Sequence, residues 1–234
     1  RRWVERWVHS AFCTCSLIRS TALLMSTTWR VMVASLLLLP MVFASRSSAH
    51  WFLWGALALI AVGAYGGQVL VPLGVIRAAD LAALTGGLAL GYLAIYELVV
   101  RAGIEWLHER WLRVSLALVG LTILVVPAIG FVLDGDDMAL GFAMFLIAAS
   151  SLGYIYTRVL PEFAVVAIAT GLAALLAMAA GGRVIFEIVG TDGEAGRLVM
   201  GLLMLLLWCG FLTASTVRLL NVLNRRMSGR EDDD

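Results

Sequence analysis

Long apolar runs separated by short polar punctuation fill the chain from residue 31 to residue 220, and that pattern decides the class of fold. Seven runs can be counted, over 31–45, 51–76, 81–100, 114–133, 138–156, 163–180 and 198–220. A helix needs about 20 apolar residues, at about 1.5 Å each, to cross about 30 Å of hydrocarbon. The last six runs meet that length. The expected fold is all-α, a polytopic integral membrane helical bundle of seven apolar segments, six or seven of them transmembrane helices. The expected organisation is an N-terminal extension or interfacial segment over 1–30, a multi-pass domain over 31–220 and a charged tail over 221–234.

The first run is the ambiguous one. Its length gives only about 22 Å of helix, and Pro40 interrupts it. It reads as a short span with Arg30 and Arg46 snorkelling, as a dip into one leaflet, or as a signal peptide followed by the small residues of "SRSSA". Before it, Met25 offers an alternative start, and "WVERWV" near the N-terminus suits a membrane surface.

Arginine placement weighs these topologies, because short cytoplasmic loops carry the excess of positive charge. With seven spans, nine Arg (46, 101, 110, 113, 158, 218, 225, 226 and 230) share the C-terminal side, against four (30, 77, 183 and 197) opposite, leaving out residues 1–24. With six spans, and with the four Arg of residues 1–24 now counted, the division is fourteen to three. Both favour a plasma (inner) membrane protein with a cytoplasmic C-terminus, and a cleaved signal peptide would invert that bias. Trp29, Trp51, Trp54, Trp106 and Trp111 fall near run ends, where interfacial anchors belong.

Composition agrees with this class: 62% of residues are hydrophobic and 14% charged, too oily for a soluble domain of 234 residues. All 17 basic residues are Arg. Without Lys there is no Schiff base to retinal or pyridoxal phosphate, and no P-loop. The seven-segment count resembles that of seven-helix receptors and rhodopsins, but the retinal version is thereby removed and no family is assigned. A net charge of +1 gives no electrostatic case for nucleic acid. Cys13, Cys15 and Cys209 are too few for a disulfide framework.

Candidate chemistry is sparse. "EWLHERW" holds Glu105 and His108 at the Glu-x-x-His spacing of helical metal ligands, yet no second copy of the motif exists, and no His-Glu-x-x-His occurs. Arg101, Glu105, Glu109 and Arg113 recur every four residues and, with His108, predict a short interfacial helix between two spans. Glu97 is the main ionisable residue inside a span, expected to pair with Arg101 one turn on. Asp80 reads as an N-cap. "DGDD" over 134–137 reads as a tight turn rather than a calcium loop.

The polar residues suited to lining a solute cavity are Gln68, Tyr92, Tyr96, Glu97 and Tyr154, with Tyr65, Ser150, Ser151 and Tyr156 nearby. Gly63 with Gly67, and Gly87 with Gly91, give Gly-x-x-x-Gly spacings that favour close helix approach. The connection over 181–197 reads as a lid or as an extension of the sixth run.

No catalytic, metal or cofactor set is assigned. The expected function is that of a non-catalytic membrane component or assembly subunit, whose partners are the lipid bilayer and either a second copy or another membrane protein. The alternatives are a permease or channel for a small neutral solute, and a lipid-active enzyme using Glu105, His108 and Glu109.

Overall fold

The computed structural model describes residues 30, 33–34, 37–103, 107, 109–135, 138–189 and 195–231. These residues are overwhelmingly helical and contain no strand. We name the helices α1 (Ser48–Tyr65), α2 (Ala78–Arg101), α3 (Arg110–Asp134), α4 (Ala139–Arg158), α5 (Phe163–Val189) and α6 (Ala195–Glu231). A π-helical turn, Gly66–Leu70, extends α1.

Six helices are long and apolar enough to cross a membrane: Ser48–Leu70, Ala78–Arg101, Arg110–Asp134, Ala139–Arg158, Phe163–Ile188 and Val199–Arg225. The first apolar run does not add a seventh among the described residues. Its helical path over 37–45 ends at Arg46, whose φ of 46° takes the chain out of the right-handed region.

The chain divides into two compact units, residues 1–81 and 82–234. In the first, an aromatic group gathers at the start of α1. The ring of Phe43 meets Trp51 edge-on at 5.8 Å, and Trp51 lies 6.1 Å from Trp54. Such rings suit the boundary between headgroups and hydrocarbon.

In the second unit α3 packs against α4 and α5, α4 against α5, and α5 against α6. Its core holds Leu121, Leu124 and Val125 of α3 with Ala83 of α2, Phe145 of α4 and Ala169 of α5. Lipid gives helices no hydrophobic reason to associate, so tight van der Waals fit must do it, and small residues permit the closest fit. That approach occurs at Gly86 of α2 and Gly120 of α3. A Cβ on Gly86 would lie 2.7 Å from the Leu124 side chain and 3.3 Å from the Gly120 carbonyl; one on Gly120 would lie 2.6 Å from Leu90. The spacings singled out from sequence behave differently: nothing comes within 4 Å of a Cβ at Gly63 or Gly91, Gly67 meets Leu81 only at 3.9 Å, and Gly87 faces the flexible end of Met144. Between α3 and α4 the close pair is Pro127 and Gly141.

Several boundaries differ from the sequence reading. A single helix over 101–113 does not form: Arg101 closes α2, Gly103 takes a φ of 88°, Glu109 is extended and Arg110 opens α3. A chain that must reverse between two spans breaks its helix where a glycine permits the turn. Glu105 and His108 lie outside the described residues. Asp80 sits within the first turn of α2, which starts at Ala78, so it favours the helix dipole instead of preceding the helix as a cap. α5 runs on to Val189, making the start of the 181–197 connection an extension of that helix, and α6 carries the tail as helix to Glu231. Of "DGDD", Asp134 ends α3 and Gly135, at a φ of 102°, turns the chain; Asp136 and Asp137 lie outside the described residues.

Candidate functional site

Ionisable side chains converge where α2 and α4 end and α3 and α5 begin. Each is placed by its position on a helix end. Arg110 and Arg113 occupy the first turn of α3, a position where the helix dipole disfavours cations. Two carboxylates offset that cost. Glu97, one turn before the end of α2, accepts a hydrogen bond from Arg113 Nε. Glu162, immediately before α5, accepts from Arg110 Nη2 at 2.9 Å and Nε at 3.3 Å, and its Oε2 lies 3.5 Å from Arg113 Nη1. Arg113 thus sits between two acids from different parts of the chain. Glu162 itself stands at the head of α5, where a negative charge is favoured, and its carbonyl receives the Val166 amide.

Two buried tyrosines complete the arrangement. Tyr156, near the end of α4, donates its hydroxyl proton to Glu97 at 2.7 Å, so Glu97 is held by α3 and α4 together. Tyr96, next to Glu97 on α2, turns another way. Its hydroxyl donates to the Leu107 carbonyl at 2.7 Å, with the Glu109 carbonyl at 3.2 Å as a second acceptor. These carbonyls belong to the connection ahead of α3, where the Glu109 carbonyl also receives the Leu112 amide at 3.3 Å, so Tyr96 fastens the connection and the start of α3 to α2.

Burial separates the members by energetic weight. The side chains of Glu97, Arg113 and Glu162 are 13%, 17% and 7% exposed, whereas Arg110 is 79% exposed. Removing one partner from a buried, hydrogen-bonded ion pair strands the other charge, at a cost of about 3–5 kcal/mol. An exposed pair is worth less than about 1 kcal/mol. The Glu97, Arg113 and Glu162 triad is therefore the structural element, and Arg110 its solvent-facing edge.

A cavity of about 280 Å³ adjoins the triad between α2 and α4. Leu90, Leu93, Leu98, Leu152 and Ile155 form most of its wall, and Glu97, Arg101 and Tyr156 its polar end. Leu98 and Ile155 are exposed, so the cavity opens away from the bundle core.

Of the residues proposed from sequence as cavity-lining, Glu97 lies on this wall. Tyr96 is buried on the far side of α2, and Tyr154 projects outward at 68% exposure. Tyr92 is half-buried on α2. Gln68 belongs to the first unit, on the π-helical turn and two residues from the end of its span, not at mid-depth. The expected pairing of Glu97 with Arg101 is replaced by pairing with Arg113. From Glu97 the next helix offers a guanidinium inside the bundle, while Arg101 points to the exposed end. Glu109 is exposed ahead of α3.

Glu162 in this cluster and, at the opposite end of α3, Arg183 make contacts with that helix that spacing along the chain does not predict. Glu162 is flanked by Pro161 in a short connection, and its signal was an isolated acid on the side of the chain richest in Arg. Arg183 of α5 enters the sequence reading only as one of the counted charges. It bridges Glu187 at 2.7 Å and donates to the Val132 carbonyl near the end of α3, where a helix terminus leaves acceptors unfilled. Among the described residues no three of His, Cys, Asp and Glu come together as a metal-ligating group. The chain matches no protein-family model, no curated protein and no solved structure.

Proposed function

We propose that this chain is a non-catalytic, multi-pass membrane component that acts by packing with a second copy or with another membrane protein. The observation that carries the reading is the use made of its buried charge. Glu97, Arg113, Glu162 and Tyr156 satisfy one another across helices, as a fastening would, in a setting where ionisable groups are costly and usually serve a route or a reaction. The outward face of α6 adds support. Leu202, Leu206, Leu207 and Phe211 are all more than half exposed, a surface suited to lipid or to a partner helix.

The orientation that goes with this reading is six spans in the inner membrane with both termini cytoplasmic. It follows from the fourteen-to-three division of Arg and places the triad at the cytoplasmic end.

The test is assembly. A photo-crosslinking residue in place of Leu207, which is 74% exposed, should give one discrete protein adduct, either a doubled mass or a single partner. The native mass of the detergent-purified chain should agree with it. Crosslinks to lipid alone together with a monomeric mass would contradict the proposal. In the same preparation, swelling of proteoliposomes in a small neutral solute should match that of protein-free vesicles; faster swelling would favour the permease reading.

A further inference from the structure

The cavity between α2 and α4 has the make-up of an amphiphile site. Its wall is hydrocarbon along Leu90, Leu93 and Leu152, and its polar end carries Arg101, which is exposed at the close of α2. Arg158 closes α4 at the same end of the bundle and is also exposed. The one acid on the wall, Glu97, has its carboxylate engaged by Arg113 and Tyr156, so the charge left facing the opening is positive. The opening passes beside Leu98 and Ile155, which are exposed on the outer surface of two membrane-spanning helices.

A water-soluble solute would meet an almost wholly apolar wall there. A free anion would find Arg101 but nothing to hold in the remainder of the space. An acyl chain attached to a phosphate matches both parts. Paired cations at the ends of adjacent spans attract anionic headgroups, at about 1 kcal/mol per Arg near the surface.

We propose that the α2–α4 groove binds one acyl chain of an anionic phospholipid, with the lipid phosphate at Arg101. The bound lipid fills the space between two helices and neutralises the exposed end of α2. This inference is independent of whether the chain assembles with a partner.

Native mass spectrometry of the delipidated full chain tests it, with phosphatidylglycerol and phosphatidylcholine offered in equal amounts. The wild type should retain phosphatidylglycerol in preference to phosphatidylcholine. Arg101→Gln should cut that preference about fivefold, the equivalent of about 1 kcal/mol. Arg77→Gln, which removes one exposed charge outside this groove, should leave it unchanged. Ala94→Trp, on the exposed part of the wall, should lower retention of both lipids with no loss of lipid-free thermal stability. Inorganic phosphate should not displace the lipid. Equal retention of the two lipids by the wild type, equal effects of the two Arg substitutions, unimpaired retention by Ala94→Trp, or displacement by phosphate would each overturn the proposal.

Discussion

At the scale of single residues, two arginines one turn apart carry different loads. Arg113 is buried between Glu97 and Glu162; Arg110 reaches Glu162 from solvent. In reversible unfolding by SDS, Arg113→Ala should lose about 3 kcal/mol, and Arg110→Ala less than about 1 kcal/mol. Equal losses would mean that the buried triad has no special weight. Tyr156→Phe removes a neutral donor from a buried carboxylate and should cost about 2 kcal/mol by the same assay, since hydrogen bonds to charged groups lie in that range. The sequence made Glu97 and Arg113 visible as rare charges near span ends, but not their pairing. Four-residue spacing favoured a continuous helix from Arg101 to Arg113, whereas the turn at Gly103 puts Arg113 on the next helix, facing back at Glu97. A partner chosen by distance in space could not be chosen by distance along the chain.

At the scale of helices, the length and apolarity of the last six runs were readable because crossing hydrocarbon imposes both, and α1 to α6 fall on those runs. Their ends were less readable. α5 and α6 continue past the apolar stretch because a helix satisfies its own backbone whatever its side chains, so polarity alone did not mark where they stop. Packing faces were hardest of all. With 23 glycines, many pairs have the right spacing, and which pair meets a neighbour depends on helix rotation. Gly86 and Gly120 meet; Gly91 faces open space. Gly120→Ala should therefore destabilise the bundle by about 1–3 kcal/mol through overpacking. Gly91→Ala should be neutral, or stabilising by up to about 1 kcal/mol, through higher helix propensity. A thermal-stability comparison of the two purified variants checks the assigned faces, and a reversal of their order would contradict them.

At the scale of the whole molecule, membrane class follows from composition and run length, but the number of crossings rests on the first run, and there residues and structure pull apart. Its apolarity suggests a span. Its length, Pro40 and the turn at Arg46 weigh against one, and among the described residues six helices satisfy the requirement. In the proposed orientation those six helices put Ser47 and Asn224, the two flanks of the region they cover, on one side of the membrane, and the Arg distribution favours the cytoplasm for that side. Labelling with a membrane-impermeant maleimide in spheroplasts reads this directly, using single cysteines at Ser47, Leu73 and Asn224 in a chain otherwise free of Cys. Ser47 precedes α1, Leu73 lies in the turn between α1 and α2, and Asn224 lies at the end of the last span. The expected result is labelling at Leu73 alone, with Ser47 and Asn224 protected until the membrane is permeabilised. Labelling of Ser47 or Asn224 in intact spheroplasts would contradict the cytoplasmic placement of these two flanks.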